Sequence, residues 1–176
     1  MSTSREWLNR RFAFAVSMGY MGPMDFDFVA PRLATGGEVI SAGDLDDLVA
    51  AGVTHVIDCR DGFTSAHMLA DEPQISYLWN GVPDDGDPVT HGDLWFAKSL
   101  SFALPALARP QAKVCAICAS GVNRGPSTVF AIMLALGFTP AIAEELICAA
   151  RPVVGLLYKL EAIASVANLG YVDQWR

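Results

Sequence analysis

The stretch Val114-Cys115-Ala116-Ile117-Cys118-Ala119-Ser120-Gly121-Val122-Asn123-Arg124-Gly125-Pro126-Ser127-Thr128 decides the reading of this chain. Four apolar residues predict a buried strand, the small and polar residues after Cys118 a tight loop, and Pro126 the first turn of a helix. Such a loop can wrap one oxyanion. Its backbone N–H groups point inward, the helix N-terminus adds positive potential, and an arginine fork grips two oxygens. A cysteine below that field is favoured as its thiolate, the nucleophilic form. Cys118 opens the loop and Arg124 closes it, with Ala119, Ser120, Gly121, Val122 and Asn123 between them. The guest this arrangement suits is phosphate, and the chemistry is phosphoryl transfer to sulfur.

Working outward, strands and helices alternate. Residues 26–30 predict a short strand. Ser41 with Asp44 predicts a capped helix that carries Leu45, Leu48 and Val49 on one face and stops at Gly52. Strands follow over 53–58 and 77–80, then a polar loop over 81–88. Thr90 with Asp93 resembles a capping box that opens a helix to about residue 108. After the central strand, Pro126 and Gly137 bracket one helix, Thr139-Pro140 starts another that ends before Pro152, and a last runs over 156–168. This order predicts an α/β fold, a mainly parallel central sheet flanked by helices in a three-layer sandwich. The Cys118 loop then lies at the carboxyl end of its strand, where open α/β sheets bind ligands. Residues 1–25 read as an N-terminal extension, helical over 4–18 and packed on the domain, with residues 26–176 as the domain itself.

The bulk properties agree. A chain of 176 residues with 52% hydrophobic and 18% charged residues can build one sizeable core. Its formal net charge of -7 argues against nucleic acid and against anionic membranes as partners. Arg5, Glu6, Arg10 and Arg11 interrupt the N-terminal apolar residues, unlike a signal peptide. Four cysteines do not make a disulfide scaffold at this length, so a cytoplasmic setting is expected. Cys115 and Cys118 form a Cys-x-x-Cys, but Cys115 falls inside the strand and reads as a core residue. No second Cys or His pair is spaced to complete a metal site, so neither metal nor cofactor is expected. The oligomeric state is left open.

The signature Cys118-x5-Arg124 resembles that of the protein tyrosine phosphatase superfamily, and its small dual-specificity branch most closely. The resemblance runs over residues 26–152. Leu33-Ala34-Thr35-Gly36-Gly37 resembles the opening strand and turn, Ala51-Gly52-Val53-Thr54-His55-Val56-Ile57-Asp58 the second core strand, Pro83-Asp84-Asp85-Gly86-Asp87-Pro88 the acid-bearing loop, and Ala143-Glu144 through Arg151-Pro152 the helix ending in Arg-Pro. It implies a cysteine-dependent phosphomonoester hydrolase. Cys118 would be the nucleophile, residues 119–124 the phosphate cradle, and an aspartate the proton donor. Asp84 matches the family spacing to Pro88 and is the first choice, Asp85 the runner-up; Asp87 competes, and turn chemistry alone explains at least two of the three. The substrate implied is a phosphorylated protein or a small phosphate ester. The absence of lysine and further arginine inside the loop argues against polyphosphate lipids.

Two departures qualify the resemblance. Ile117 stands where the family has histidine, and Gly125 where it has a serine or threonine whose hydroxyl helps the cysteine leave. Slower phosphoenzyme hydrolysis is the expected consequence, unless Ser120, Ser127 or Thr128 substitutes. A phosphate-binding pseudophosphatase and a rhodanese-like sulfurtransferase stay open as alternatives. Cys59 matches a place where some relatives carry a cysteine that pairs with the nucleophile under oxidation, which makes it a possible redox partner. Asp58 and Arg60 are expected to brace the loop bases, Asn123 to brace the signature loop, and His55 and Arg151 to be structural. His67 and His91 read as surface residues. Tyr20, Phe63 and Trp79 are candidate pocket walls, with core packing the more ordinary role.

Overall fold

The computed structural model describes residues 23–86 and 88–171, with the side chains of residues 88–92 outside the description. The helix expected over 4–18, Tyr20, Asp87 and the side chain of His91 therefore lie outside the described residues. The elements are β1 (Phe26–Ala30), β2 (Leu33–Gly36), α1 (Ala42–Ala50), β3 (His55–Arg60), α2 (Ala66–Leu69), β4 (Ser76–Val82), α3 (Pro88–Leu107), β5 (Val114–Ile117), α4 (Arg124–Ala135), α5 (Pro140–Ala150) and α6 (Lys159–Asn168).

The five strands form one sheet in the order β1-β2-β5-β3-β4. Only the edge strand β1 runs antiparallel; β2, β5, β3 and β4 are parallel. The mainly parallel three-layer sandwich is thus as expected, with β5 at its centre. Its four residues are all buried, because helices cover both faces. The larger core packs α3, α4, α5 and α6 on one face, where every residue of α4 is buried. The smaller core, with Leu48, Val53, Val56, Leu69 and Ile117, lies under α1 and α2.

Local signals place several ends as the sequence predicts. Ser41 Oγ accepts from Asp44 N–H, and Asp44 Oδ2 accepts in return from Ser41 N–H, a reciprocal cap on α1. Thr139 Oγ1 accepts from Ile142 N–H at the start of α5. Gly137 takes φ +95° just past α4.

Four boundaries differ from the local pattern. Strand β3 continues through Cys59 to Arg60, and β4 through Gly81 to Val82, so the polar loop begins only at Pro83. Arg60 is tolerated there because Asp58, Glu38 and Ser65 bind its guanidinium. Helix α3 starts at Pro88, which puts Thr90 inside it; the Asp93 carboxylate accepts from Ser165 and Asn168 of α6. Helix α6 begins at Lys159 and not at Leu156, which takes φ +47° and breaks the helical path. The single turn α2 carries no periodic signal in the sequence. At the other end, Met24 is buried and its N–H donates to Asp47 Oδ2, so residues just before 26 are already built into the domain.

Candidate active site

The carboxyl ends of β5, β3 and β4 converge on the loop 118–124. Cys118 follows β5 directly and is 2% exposed; its N–H donates to Gly36 O of β2 at 3.1 Å. Residues 119 and 120 are exposed, and Gly121 turns the chain at φ +61°. Arg124 opens α4 and is buried.

The loop is braced from below by Arg151. Its Nε donates to Gly121 O at 2.7 Å and its Nη2 to Ser120 O at 3.1 Å. The same guanidinium pairs with Asp25 and Asp27, each at 2.7 Å. The buried charge is thereby matched, and two loop carbonyls are held facing outward from the cradle. Burial works against that charge, and the two carboxylates hold it on. A side chain at 121 would meet Arg151 Nη2 at 2.5 Å, so the loop has room only for glycine there. Asn123 packs on Gly155, whose N–H donates to Val122 O at 2.9 Å.

Arg124 is positioned by one nitrogen. Its Nη1 donates to Val82 O at 2.9 Å, Asp61 Oδ1 at 3.1 Å and Cys59 O at 3.3 Å. Its Nε is buried without a hydrogen-bond partner. The nearest charge to Nε is Asp84 Oδ2 at 3.5 Å. A donor left unsatisfied in this way is an anion-binding edge waiting for an acceptor. Of the two aspartates in the described part of the acid loop, Asp84 is the one that touches Arg124. Tyr158, which the sequence did not single out, donates to Asp84 Oδ1 at 2.9 Å and accepts from Gly86 N–H at 3.1 Å.

Asp58 and Arg60 form the expected brace. Arg60 Nε and Nη2 donate to the two oxygens of Asp58, Nη1 reaches Glu38 at 2.6 Å, and Tyr77 donates to Asp58 at 3.0 Å. Burial and the Asp58 charge push the Tyr77 hydroxyl well above its ordinary value. His55 is structural. Arg109 donates to its Nε2 at 2.8 Å, which leaves the proton on Nδ1 for Thr54 Oγ1 at 2.8 Å. His67 is exposed. Phe63 is 87% and Trp79 50% exposed, so core packing is not the role of either. Phe63 projects from the loop that carries Asp61, and Trp79 Nε1 donates to Arg60 O at 2.7 Å.

The hydroxyl question has an answer the sequence could not supply. Ser120 is exposed, Thr128 Oγ1 lies 3.3 Å from Cys59 Sγ, and Ser127 Oγ is buried without a partner. Two groups crowd Gly125, the carbonyl of Ala116 in β5 and the hydroxyl of Thr35 in β2. Thr35 Oγ1 donates to Ala116 O at 3.0 Å and would stand 3.0 Å from a Cβ at position 125. Cys59 and Cys115 are fully buried and their thiols are pushed up by burial, Cys115 to about 12. The register pairs Asp58 with Ile117, so Cys59 and Cys118 are the next neighbours along adjacent parallel strands. Among the described residues, no group of three or more His, Cys, Asp or Glu is placed to hold a metal.

No family model matches the chain. It is 27% identical over 99 residues to human dual specificity protein phosphatase 13B, which covers 56% of this chain and 50% of that protein. The chain thus aligns with about half the length of this curated relative. Among solved structures, a mouse putative dual specificity phosphatase complexed with zinc tungstate superposes with a TM-score of 0.66 at 23% identity, over 88% of this chain and 94% of that one. PTPMT1 in complex with PI(5)P gives 0.66 at 15% identity, over 82% and 99%. Tk-PTP in its active form gives 0.66 at 18%, over 82% and 97%. In fold the chain is similar to dual specificity phosphatases, and over 99 residues its sequence is similar to one of them.

Proposed function

We propose that the protein is a cysteine-dependent phosphomonoester hydrolase of dual-specificity type. One observation carries the reading: a single loop joins a buried cysteine to a buried arginine whose unpartnered Nε faces an aspartate 3.5 Å away. Nucleophile, oxyanion fork and proton donor are then within reach of one phosphoryl group. In the first step, the Cys118 thiolate forms an S–P bond as the P–O bond to the leaving group breaks. Asp84 gives its proton to the departing oxygen. In the second, water attacks phosphorus, Asp84 takes a proton from it, and the S–P bond breaks to restore the thiolate and free inorganic phosphate. Residues 119–124 supply N–H donors to the equatorial oxygens throughout, and Arg124 adds its charge.

The substrate class proposed is a phosphorylated protein or small phosphate ester. Arg60, Arg124 and Arg151 each face carboxylates at the site. The loop interior adds no further cation, which disfavours a substrate with several phosphates. A cytoplasmic setting fits the four free cysteines. No helix among the described residues is long and apolar enough to cross a membrane.

The test is hydrolysis of p-nitrophenyl phosphate. Wild type should be active and inhibited by vanadate, Cys118→Ser inactive, and Asp84→Ala reduced about a hundredfold or more in kcat. Asp85→Ala should act as wild type. Absence of vanadate-sensitive turnover would leave the second reading, a phosphate-binding pseudophosphatase. Trapped phosphocysteine with slow release would locate the defect in the second step. The relatives found are phosphatases, and a sulfurtransferase is not favoured.

A further inference from the structure

Tyr158 lies in the turn before α6, where nothing in the sequence marks a functional residue. It is 2% exposed, and its ring stands edge-on to Trp95 of α3, with centroids 5.4 Å apart and planes at 83°. Trp95 in turn stacks on Phe96 at 4.3 Å. The phenol is therefore a post driven out of the core, and its hydroxyl is fixed in space.

That hydroxyl meets the acid loop. Residues 83–86 are all at the surface, and Gly86 turns at φ +76°. Such a segment has little packing to hold it. Tyr158 accepts from Gly86 N–H at 3.1 Å and lies 2.9 Å from Asp84 Oδ1, nearer than Pro83 O at 3.5 Å. A hydroxyl has one proton, and the shorter, charged contact takes it. The other carboxyl oxygen of Asp84, Oδ2, points to Arg124 Nε. Each oxygen of the carboxyl thus has its own partner. Burial, with Asp84 and Asp85 nearby, pushes the phenol up to about 12, so it stays a donor at neutral pH.

We infer that Tyr158 is a positioning residue for proton donation. Its hydroxyl holds Asp84 by Oδ1, so that Oδ2 is the oxygen that carries the proton toward the phosphoryl site. When the P–O bond breaks and that proton passes to the leaving oxygen, the bond from Tyr158 steadies the carboxylate that remains. The inference rests on Asp84 being the general acid.

Tyr158→Phe is the test. It keeps the ring on Trp95, and the two groups it releases, Gly86 N–H and Asp84, lie at the surface where water replaces the bonds. Help from an acid grows as the leaving group becomes more basic. The variant should therefore lose about tenfold in kcat/KM on phenyl phosphate and under about threefold on p-nitrophenyl phosphate. Asp84→Asn should show the same trend more steeply, and adding Tyr158→Phe to it should change nothing further. Equal losses on both esters, or a full additional loss in the Asp84→Asn background, would overturn the role of Tyr158 while leaving the acid in place. If Asp84→Asn shows no dependence on the leaving group, the acid assignment itself fails and Tyr158 with it. Should Tyr158→Phe melt early, the wild-type phenol can be followed by carbon-13 resonance. It should titrate at lower pH in Asp84→Asn, and an unchanged titration would overturn the tether.

Discussion

Restoring the missing hydroxyl at position 125 looks, on paper, like the way to speed the second step, and the structure predicts that it fails alone. A Cβ at 125 would stand 2.9 Å from Ala116 O and 3.0 Å from Thr35 Oγ1. The first neighbour is backbone of β5, which ladders on both sides to β2 and β3 and has no freedom to retreat. The second is a hydroxyl that already donates to Ala116 O at 3.0 Å. Gly125 is helical with no positive φ, so Gly125→Ser relieves no strain and gains only about 0.5 kcal/mol of helix propensity. Overpacking a tight core site costs about 1–3 kcal/mol. For a chain of this size each kcal/mol moves Tm by about 2–4 °C, so Gly125→Ser should melt several degrees below wild type.

Thr35→Ala removes the softer of the two contacts and one buried hydrogen bond, a loss of about 1 kcal/mol by itself. Combined with Gly125→Ser it should be less damaging than the sum of the single changes, with a coupling of about 1 kcal/mol, because the serine side chain can take the space that Thr35 leaves and keep its proton for the Cys118 sulfur. The kinetic readout is the p-nitrophenol burst. Wild type should show one, since phosphoenzyme hydrolysis is its slow step on the proposed mechanism, and the double variant should lose it. Thermal melts and stopped-flow bursts on the four proteins decide the matter. A Gly125→Ser protein that melts with wild type, and whose effect simply adds to that of Thr35→Ala, would refute the claim that Thr35 fills this slot.

Three further outcomes follow from the same contacts. Strands in a sheet lie about 4.8 Å apart, within the Cα span a disulfide bridges, so peroxide-inactivated wild type should recover with dithiothreitol and Cys59→Ser should not; equal recovery in both would refute the pairing. His55 is lowered from 6.5 by burial first and by the Arg109 charge second, so its neutral form supports the fold above that value, and Tm should fall as pH drops below it. His55→Gln should flatten that slope, and an unchanged slope would count against it. Gly121→Ala, which puts a Cβ at φ +61° and 2.5 Å from Arg151 Nη2, should weaken vanadate binding at least tenfold as well as lower Tm, and ordinary vanadate affinity would show that the loop adapts.

Local chemistry carried the centre of the fold into the sequence. The run 114–117 between polar stretches, the reciprocal cap of Ser41 and Asp44, and the proline and glycine around α4 each act within a few residues, so they can be read without a structure. What stayed hidden depends on partners far along the chain. Asn80 sits buried in β4 because its Nδ2 donates to Trp95 O and Ser99 Oγ of α3. Arg60 extends β3 because Glu38 meets it from the β2–α1 connection. Asp93 mimics a helix cap, yet its carboxylate serves α6. The site divides in the same way. Cys118 and Arg124 announce themselves by spacing, but Asp84, Asp85 and Asp87 look alike in sequence, and the contact that singles out Asp84 comes from Tyr158, 74 residues away. Thr35 crowds Gly125 across 90 positions for the same reason.

Arg124 is where these long-range contacts acquire a chemical meaning. Its Nη1 is fixed by the carbonyls of Cys59 and Val82, at the ends of two strands, and by Asp61. The guanidinium cannot swing away without breaking all three bonds, so its Nε must keep facing the loop. A phosphoryl group entering that loop brings its own negative oxygens to an edge where Asp84 Oδ2 already lies at 3.5 Å. On the proposed reaction that carboxyl oxygen and a phosphoryl oxygen then meet at one Nε. The bond from Tyr158 to Oδ1 keeps that carboxyl in place as it yields the arginine. Phosphoryl binding and placement of the acid thus meet at one nitrogen, which is why the loop can be spelled by its two ends while its proton donor has to be held from the core.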